Sequence, residues 1–162
     1  MTTTLFTNAH IATGEPGSTA ASTLPLQDIL VTDGVFTAFG PGLAQQYEAQ
    51  GGNLAAIEVV DLGGKLVCPP FCDTHLHLDY VFTARKPGAV NESGTLFEGI
   101  QRWSETKSDL TVDEIKQRAK IGIKKEMLHG VQFIRSHADV TDPKLTSLKA
   151  LLELKEELKD TV

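Results

Sequence analysis

The residues most able to do chemistry in this chain lie together in Asp73-Thr74-His75-Leu76-His77-Leu78-Asp79. Side chains alternate across a strand, so an extended reading puts His75 and His77 on one face, about 7 Å apart along the strand. Two imidazoles placed this way can converge on one divalent metal ion. Asp73 and Asp79 fall on the same face, as candidate ligands or as carboxylates that orient the imidazoles from behind. The alternative reading is two solvent-facing histidines on an edge strand. The preceding Pro69-Pro70-Phe71, which sits where the sequence pattern changes, favours the metal site.

The elements that must position these residues differ on the two sides of that boundary. Before Pro70, short β-type runs alternate with turn residues: Leu5 through Ile11, Ile29 through Val31, Val35 through Phe39, Ile57 through Val60 and Lys65 through Cys68. Asp33-Gly34 predicts a two-residue hairpin turn, Gly63-Gly64 a second tight turn, and Thr13 through Thr23 a loop. A small β-domain over residues 1–69 follows from this pattern. After it, Phe71 through Leu78 reads as a strand. Thr95 with Glu98, and Thr111 with Glu114, predict two helices opened by capping boxes. Their apolar stripes are Leu96, Ile100 and Trp103, then Ile115, Ala119, Ile123 and Met127, with Gly130 as the stop. His129 sits beside that stop as a partner for the helix dipole. Val131 through Val140 reads as a strand, and Asp142-Pro143 as the start of a last helix. The β-α-α-β-α order over residues 70–162 predicts parallel strands with right-handed crossovers.

Composition narrows the function classes. The chain has 162 residues, 41% of them hydrophobic and 22% charged, with a formal net charge of -6. That length can bury a real core, and the balance argues against disorder. An acidic chain with scattered basic residues argues against nucleic acid as partner. No apolar run approaches the ~20 residues of a membrane helix. The opening M-T-T-T-L-F-T-N-A-H lacks the features of a signal peptide, and two cysteines suit a reducing compartment, so the expected location is cytoplasmic. Cys68 and Cys72 have an unusual spacing for a structural zinc site. Neither an H-x-E with P-C-x-x-C pattern nor a glycine-rich phosphate loop is present, which excludes a cytidine-type zinc deaminase and the common nucleotide-binding loops.

Three stretches together carry a resemblance. Val67-Cys68-Pro69-Pro70-Phe71 through His77-Leu78-Asp79 resembles the first barrel strand of the amidohydrolase superfamily. Ser93-Gly94-Thr95-Leu96-Phe97-Glu98-Gly99-Ile100 with Arg102-Trp103 is similar to the segment that follows it in bacterial cytosine deaminases, as is Arg135-Ser136-His137-Ala138-Asp139-Val140 with the helix after it. The resemblance implies an α/β fold: an N-terminal β-sandwich segment (residues 1–69) plus the first two β/α units of a TIM-like (β/α)8 barrel (residues 70–162). It implies one divalent iron or zinc held partly by His75 and His77, and an activated water that attacks the ring carbon bearing the amino group of cytosine or a related cyclic amidine. Isoguanine, creatinine and N-alkyl triazines are substrates of neighbouring relatives. Leu96 falls where the family places an apolar residue against the pyrimidine; a core leucine is the alternative. No membrane or nucleic-acid partner is implied, and the complete enzyme is expected to be a homo-oligomer.

The same resemblance assigns the remaining ligands and the acid–base groups to later strands, beyond Val162. A barrel takes ~250 residues. The chain is therefore expected to be an N-terminal portion, inactive alone, with a non-catalytic remnant or one chain of a split barrel as the alternatives. His137 and Asp139 share a face with Arg135 and are read as interior hydrogen-bonding groups rather than further ligands. For His10 no partner is identifiable.

Overall fold

A computed structural model describes residues 2–12 and 24–162, apart from the side chain of Arg85. The loop expected from Thr13 through Thr23 lies outside the described residues. The chain divides into two compact units, Met1–Pro69 and Pro70–Val162. The described part is α/β, with two mixed or parallel sheets, neither of them closed, and four α-helices.

The first unit is a five-stranded sheet built around β1 (Thr3–Ile11). β2 (Leu26–Thr32) and β3 (Val35–Gly40) pair antiparallel beside it in turn. On the other edge of β1, β4 (Glu58–Asp61) pairs with Thr4 to Thr7 and β5 (Leu66–Val67) with His10 and Ile11, both parallel. The handover falls at Asn8, which takes φ 57° at an irregularity in the β1–β2 register. Asn is one of the few non-glycine residues that tolerate this conformation. The hairpin turn is as expected: Asp33 (φ 49°) and Gly34 (φ 79°) are both left-handed, which matches the twist of the flanking strands.

One α-helix of this unit is absent from the sequence-based expectation. α1 (Leu43–Ala49) follows Gly42 and buries only Leu43. Seven residues with one inward-facing side chain are too short to show a helical stripe.

In the second unit, β6 (Phe71–Leu76) and β7 (Val131–Ser136) are parallel neighbours. α2 (Leu96–Lys107) and α3 (Val112–Leu128) connect them, and α4 (Thr146–Leu158) follows β7. α3 opens with a full capping box between Thr111 and Glu114. It buries Ile115, Ala119 and Ile123, the expected stripe without Met127. Those residues join Leu78, Leu110, Ala150 and Leu154 in two adjoining apolar clusters. Gly122 faces the segment after β6, where a Cβ would stand 3.4 Å from the Leu78 side chain, close to ordinary van der Waals contact. Gly130, at φ 85°, ends α3, and its carbonyl accepts the N–H of Phe71 at 2.9 Å. The helix stop thus also registers the start of β6 against β7.

Three boundaries differ from the sequence reading. β6 and β7 end at Leu76 and Ser136, short of Leu78 and Val140. At Thr95 only half of the capping box forms: its hydroxyl accepts the Glu98 N–H, while the Glu98 carboxylate takes the N–H groups of Glu92 and Ser93 instead. α4 begins at Thr146 rather than at Pro143, after Leu145 at φ 53°. Asp142 still serves the helix start, accepting the N–H groups of Lys144 and Thr146, both at 3.0 Å, and the Thr146 hydroxyl at 2.6 Å.

Candidate metal centre

The parallel register of β6 and β7 brings three histidines to the same end of the sheet. His75 lies on β6 and His77 one residue past its end. Leu76 pairs with Ser136, and the His137 N–H donates to the Leu76 carbonyl at 2.8 Å. One ligand nitrogen from each of His75, His77 and His137 lies within 4.8 Å of the other two. The ring centroids are 5.5 Å apart for His75 and His77, 4.3 Å for His75 and His137, and 5.4 Å for His77 and His137. Nitrogens on one tetrahedral zinc stand about 3.3 Å apart, so modest ring rotations suffice to close the set.

The donor set fits a divalent transition metal. Burial, followed by the neighbouring His75, His77 and Arg135, pushes His137 below its ordinary pKa, against the opposing effect of its bond to Leu76. A neutral imidazole is the form that ligates. Nδ1 of His77, Nδ1 of His137 and Oδ1 of Asp79 are buried without a hydrogen-bond partner. Buried polar atoms are rarely left so, and three at one place mark a site rather than a packing accident. Three imidazoles suit zinc or iron better than magnesium or calcium, which prefer oxygen.

Behind the histidines lies a hydrogen-bonded frame. Asp79 is fully buried, and its Oδ2 accepts the Asp139 N–H at 2.7 Å. Asp139 in turn accepts from the Trp103 indole, from Lys107 at 3.1 Å and from the Thr141 N–H and hydroxyl. Burial raises the Asp139 pKa, but these donors outweigh it and hold the carboxylate below its usual range. Tyr80 stacks on His77 at 4.7 Å and leans on Trp103 at 5.0 Å. Burial and the Asp79 and Asp139 charges push the Tyr80 hydroxyl up. From α3, Arg118 donates to the carbonyls of Asp79 and Val81, both at 3.0 Å, which fixes the turn after His77.

Leu96 stands at the first turn of α2, 74% exposed, so it is not a core leucine of its unit. With Tyr80, Asn91, Ile100, Arg102 and Trp103 it lines a cleft of about 290 Å³. Tyr80 belongs both to this cleft and to the stack on His77. Glu98 secures the segment before Leu96 through Ser93 and Glu92, and those bonds, led by Ser93, hold its pKa at about 2.

The expected pair His75 and His77 is therefore joined by His137, which sequence reasoning assigned to interior hydrogen bonding; its Nδ1 bonds to nothing. Asp139 has the hydrogen-bonding environment expected of it. Asp73 does not join the cluster: its Oδ1 accepts the His75 N–H at 2.9 Å. Cys68 and Cys72 are free and exposed. His129 caps α3 through Nδ1 and the Lys125 carbonyl at 2.7 Å, and His10 bonds the Leu24 carbonyl at 2.7 Å. Nothing but the order of the strands signals His137, because its closeness to His77 depends on a pairing 60 residues away in sequence.

Similarity to known proteins agrees with this geometry. The chain is similar to a solved 5-methylcytosine deaminase from Klebsiella pneumoniae, liganded with 5-fluorocytosine, at 36% identity and a TM-score of 0.77. That match covers 98% of this chain and 34% of that one. It is 35% identical over 107 residues to an N-isopropylammelide isopropyl amidohydrolase of Pseudomonas sp. (strain ADP), covering 64% of this chain and 27% of the relative. A pterin deaminase of Rhizobium rhizogenes is 24% identical over 139 residues, covering 83% and 29%. The chain thus spans about a third or less of the length of these relatives. The sequence profile of the amidohydrolase family matches residues 58–155, more than half of the chain. On that match, and with three imidazoles gathered at one end of the parallel β6–β7 pair, the chain belongs to the amidohydrolase family.

Proposed function

We propose that this chain supplies the first part of a metal-dependent amidohydrolase that deaminates cytosine or a related cyclic amidine. The observation that carries the reading is the cluster of His75, His77 and His137 beside a fully buried carboxylate. In this reading His75 and His77 hold iron or zinc, with His137 as a third imidazole in reach. When bound, the ion supplies the Lewis acidity that activates water for attack at an amidine carbon. The residues of this chain then have distinct tasks. Asp79 and Asp139 keep the strand ends rigid, and Tyr80 covers one face of His77. Leu96 and Ile100 offer an apolar wall to a planar ring, and Glu98 fixes the loop that presents Leu96.

The finer architecture belongs to the same proposal. Residues 1–69 are a β-sandwich segment, and residues 70–162 the first two β/α units of a (β/α)8 barrel, supported by the parallel β6–β7 pair with its helical crossover. No carboxylate joins the imidazole cluster among the described residues, and the reading assigns the proton-shuttling groups to further strands, in cis or from another chain. A cytoplasmic enzyme completes the reading, in line with two exposed free cysteines, and the reading takes the complete enzyme as a homo-oligomer.

The test is complementation. The chain is mixed with a separately produced C-terminal two thirds of the 5-methylcytosine deaminase relative, with zinc or iron, and ammonia release is followed. Cytosine, isoguanine and creatinine are offered, with isopropylamine release from N-isopropylammelide assayed in parallel. Activity is expected only in the mixture, and none with His77→Ala. Activity that survives His77→Ala contradicts the proposal.

A further inference from the structure

Asp79 presents an asymmetry that packing alone does not explain. Its carboxylate is completely buried, yet only Oδ2 is used, by the Asp139 N–H at 2.7 Å. Oδ1 has no hydrogen-bond partner and faces Nδ1 of His77 at 3.6 Å. That Nδ1 is itself buried and unpartnered. Two complementary atoms, each costly to bury alone, thus face each other just beyond hydrogen-bonding distance. A ring rotation of roughly 0.7–0.9 Å at Nδ1 brings them to the 2.7–2.9 Å of a charge-assisted bond.

We infer that Asp79 is the positioning residue of the centre: its Oδ1 accepts the Nδ1–H of His77, fixes that tautomer and leaves Nε2 unprotonated as the ligand atom. The inference rests on the metal reading and deepens it. Asp79 is not a ligand itself, since the cluster of mutually close donor atoms contains only the three imidazoles. Its second oxygen is anchored to the backbone that follows His137, and Arg118 grips its carbonyl. The carboxylate therefore cannot follow the ring; the ring must come to it. A cation on Nε2 polarises Nδ1–H and strengthens the bond, so metal binding and the buried carboxylate stabilise each other. The bond also sets the plane of the imidazole that Tyr80 covers.

The substitution Asp79→Asn tests this sharply. The amide must keep its carbonyl on the Asp139 N–H, which turns its NH₂ toward His77 Nδ1. Nδ1 then has to accept, the proton moves to Nε2, and the ligand lone pair is lost. Long-range ¹H–¹⁵N spectra of the metal-free 162-residue chain are expected to show His77 as the Nδ1–H tautomer, and Asp79→Asn to show Nε2–H. Zinc affinity in the variant should fall about 10- to 100-fold, with circular dichroism unchanged. An Nε2–H tautomer in the unsubstituted chain overturns the inference, as does unchanged zinc affinity in a folded Asp79→Asn. If the variant does not fold, the tautomer in the unsubstituted chain decides. A chain with the Nδ1–H tautomer that binds no zinc supports the role of Asp79 and counts against the metal reading, so the two failures are separable.

Discussion

Each unit of this protein buries an aspartate, and the two are used in opposite ways. In the first unit Asp28 accepts the Asn8 N–H at 3.2 Å with Oδ1 and the Leu43 N–H at 2.9 Å with Oδ2. It ties the irregular residue of β1 to the start of α1, and both oxygens are engaged. In the second unit Asp79 is more deeply buried but only half used, beside histidines that also lack partners. The four buried side-chain atoms without partners among the described residues all lie in the second unit. A saturated carboxylate stabilises a fold. One left with a free oxygen toward an imidazole is held ready for something else, at some cost in stability.

The comparison is open to attack by substitution, and the largest effect belongs to Asp28. Asp28→Ala orphans two N–H groups, each costing about 1–3 kcal/mol. Denaturant unfolding should register that loss in the first unit, and zinc affinity should not move. An equal loss of zinc affinity would show that the two aspartates are not different in kind. Asp79→Asn should do the reverse, with the metal weakened and the fold kept.

A smaller effect tests whether the second unit is loose throughout or only at its centre. Thr111→Ala removes the capping box of α3 and should cost about 1 kcal/mol, read by thermal unfolding, with zinc binding intact. The smallest effect is acid sensitivity. The Thr146 hydroxyl and the N–H groups of Lys144 and Thr146 hold Asp142 at a pKa of about 2, and Ser93 and Glu92 hold Glu98 at about 2. Both lie below their ordinary values of 3.8 and 4.5, so the folded chain binds fewer protons than the unfolded one in that window. Their contribution is full above pH about 4.5 and lost as pH falls through about 2. Amide exchange at the starts of α2 and α4 should rise there. No change at either helix start would refute the assignment.

How much of this was legible beforehand follows from the range of each interaction. The hairpin at Asp33-Gly34, the α3 capping box and the Gly130 stop are local, and each is spelled by adjacent residue types. His75 and His77 belong to the same class, since one strand suffices to put them together. The early end of β7 and the role of His137 are not local: they depend on where Leu76 meets Ser136 and on Asp79 reaching the Asp139 backbone. The delayed start of α4 is local, but it follows from the Asp142–Thr146 turn and the left-handed Leu145 rather than from the Asp-Pro pair itself. The orphaned oxygen of Asp79 was out of reach in principle: sequence proposed the carboxylate as an orienting group, but only packing distinguishes Asp79 from Asp73, which spends an oxygen on the His75 N–H.

Equilibrium dialysis against zinc, with metal counted per chain, tests the central claim most directly. The account predicts one tightly held ion per chain, lost in His75→Ala and in His77→Ala while circular dichroism and unfolding remain those of the unsubstituted protein. Stoichiometric zinc retained by both variants would contradict it.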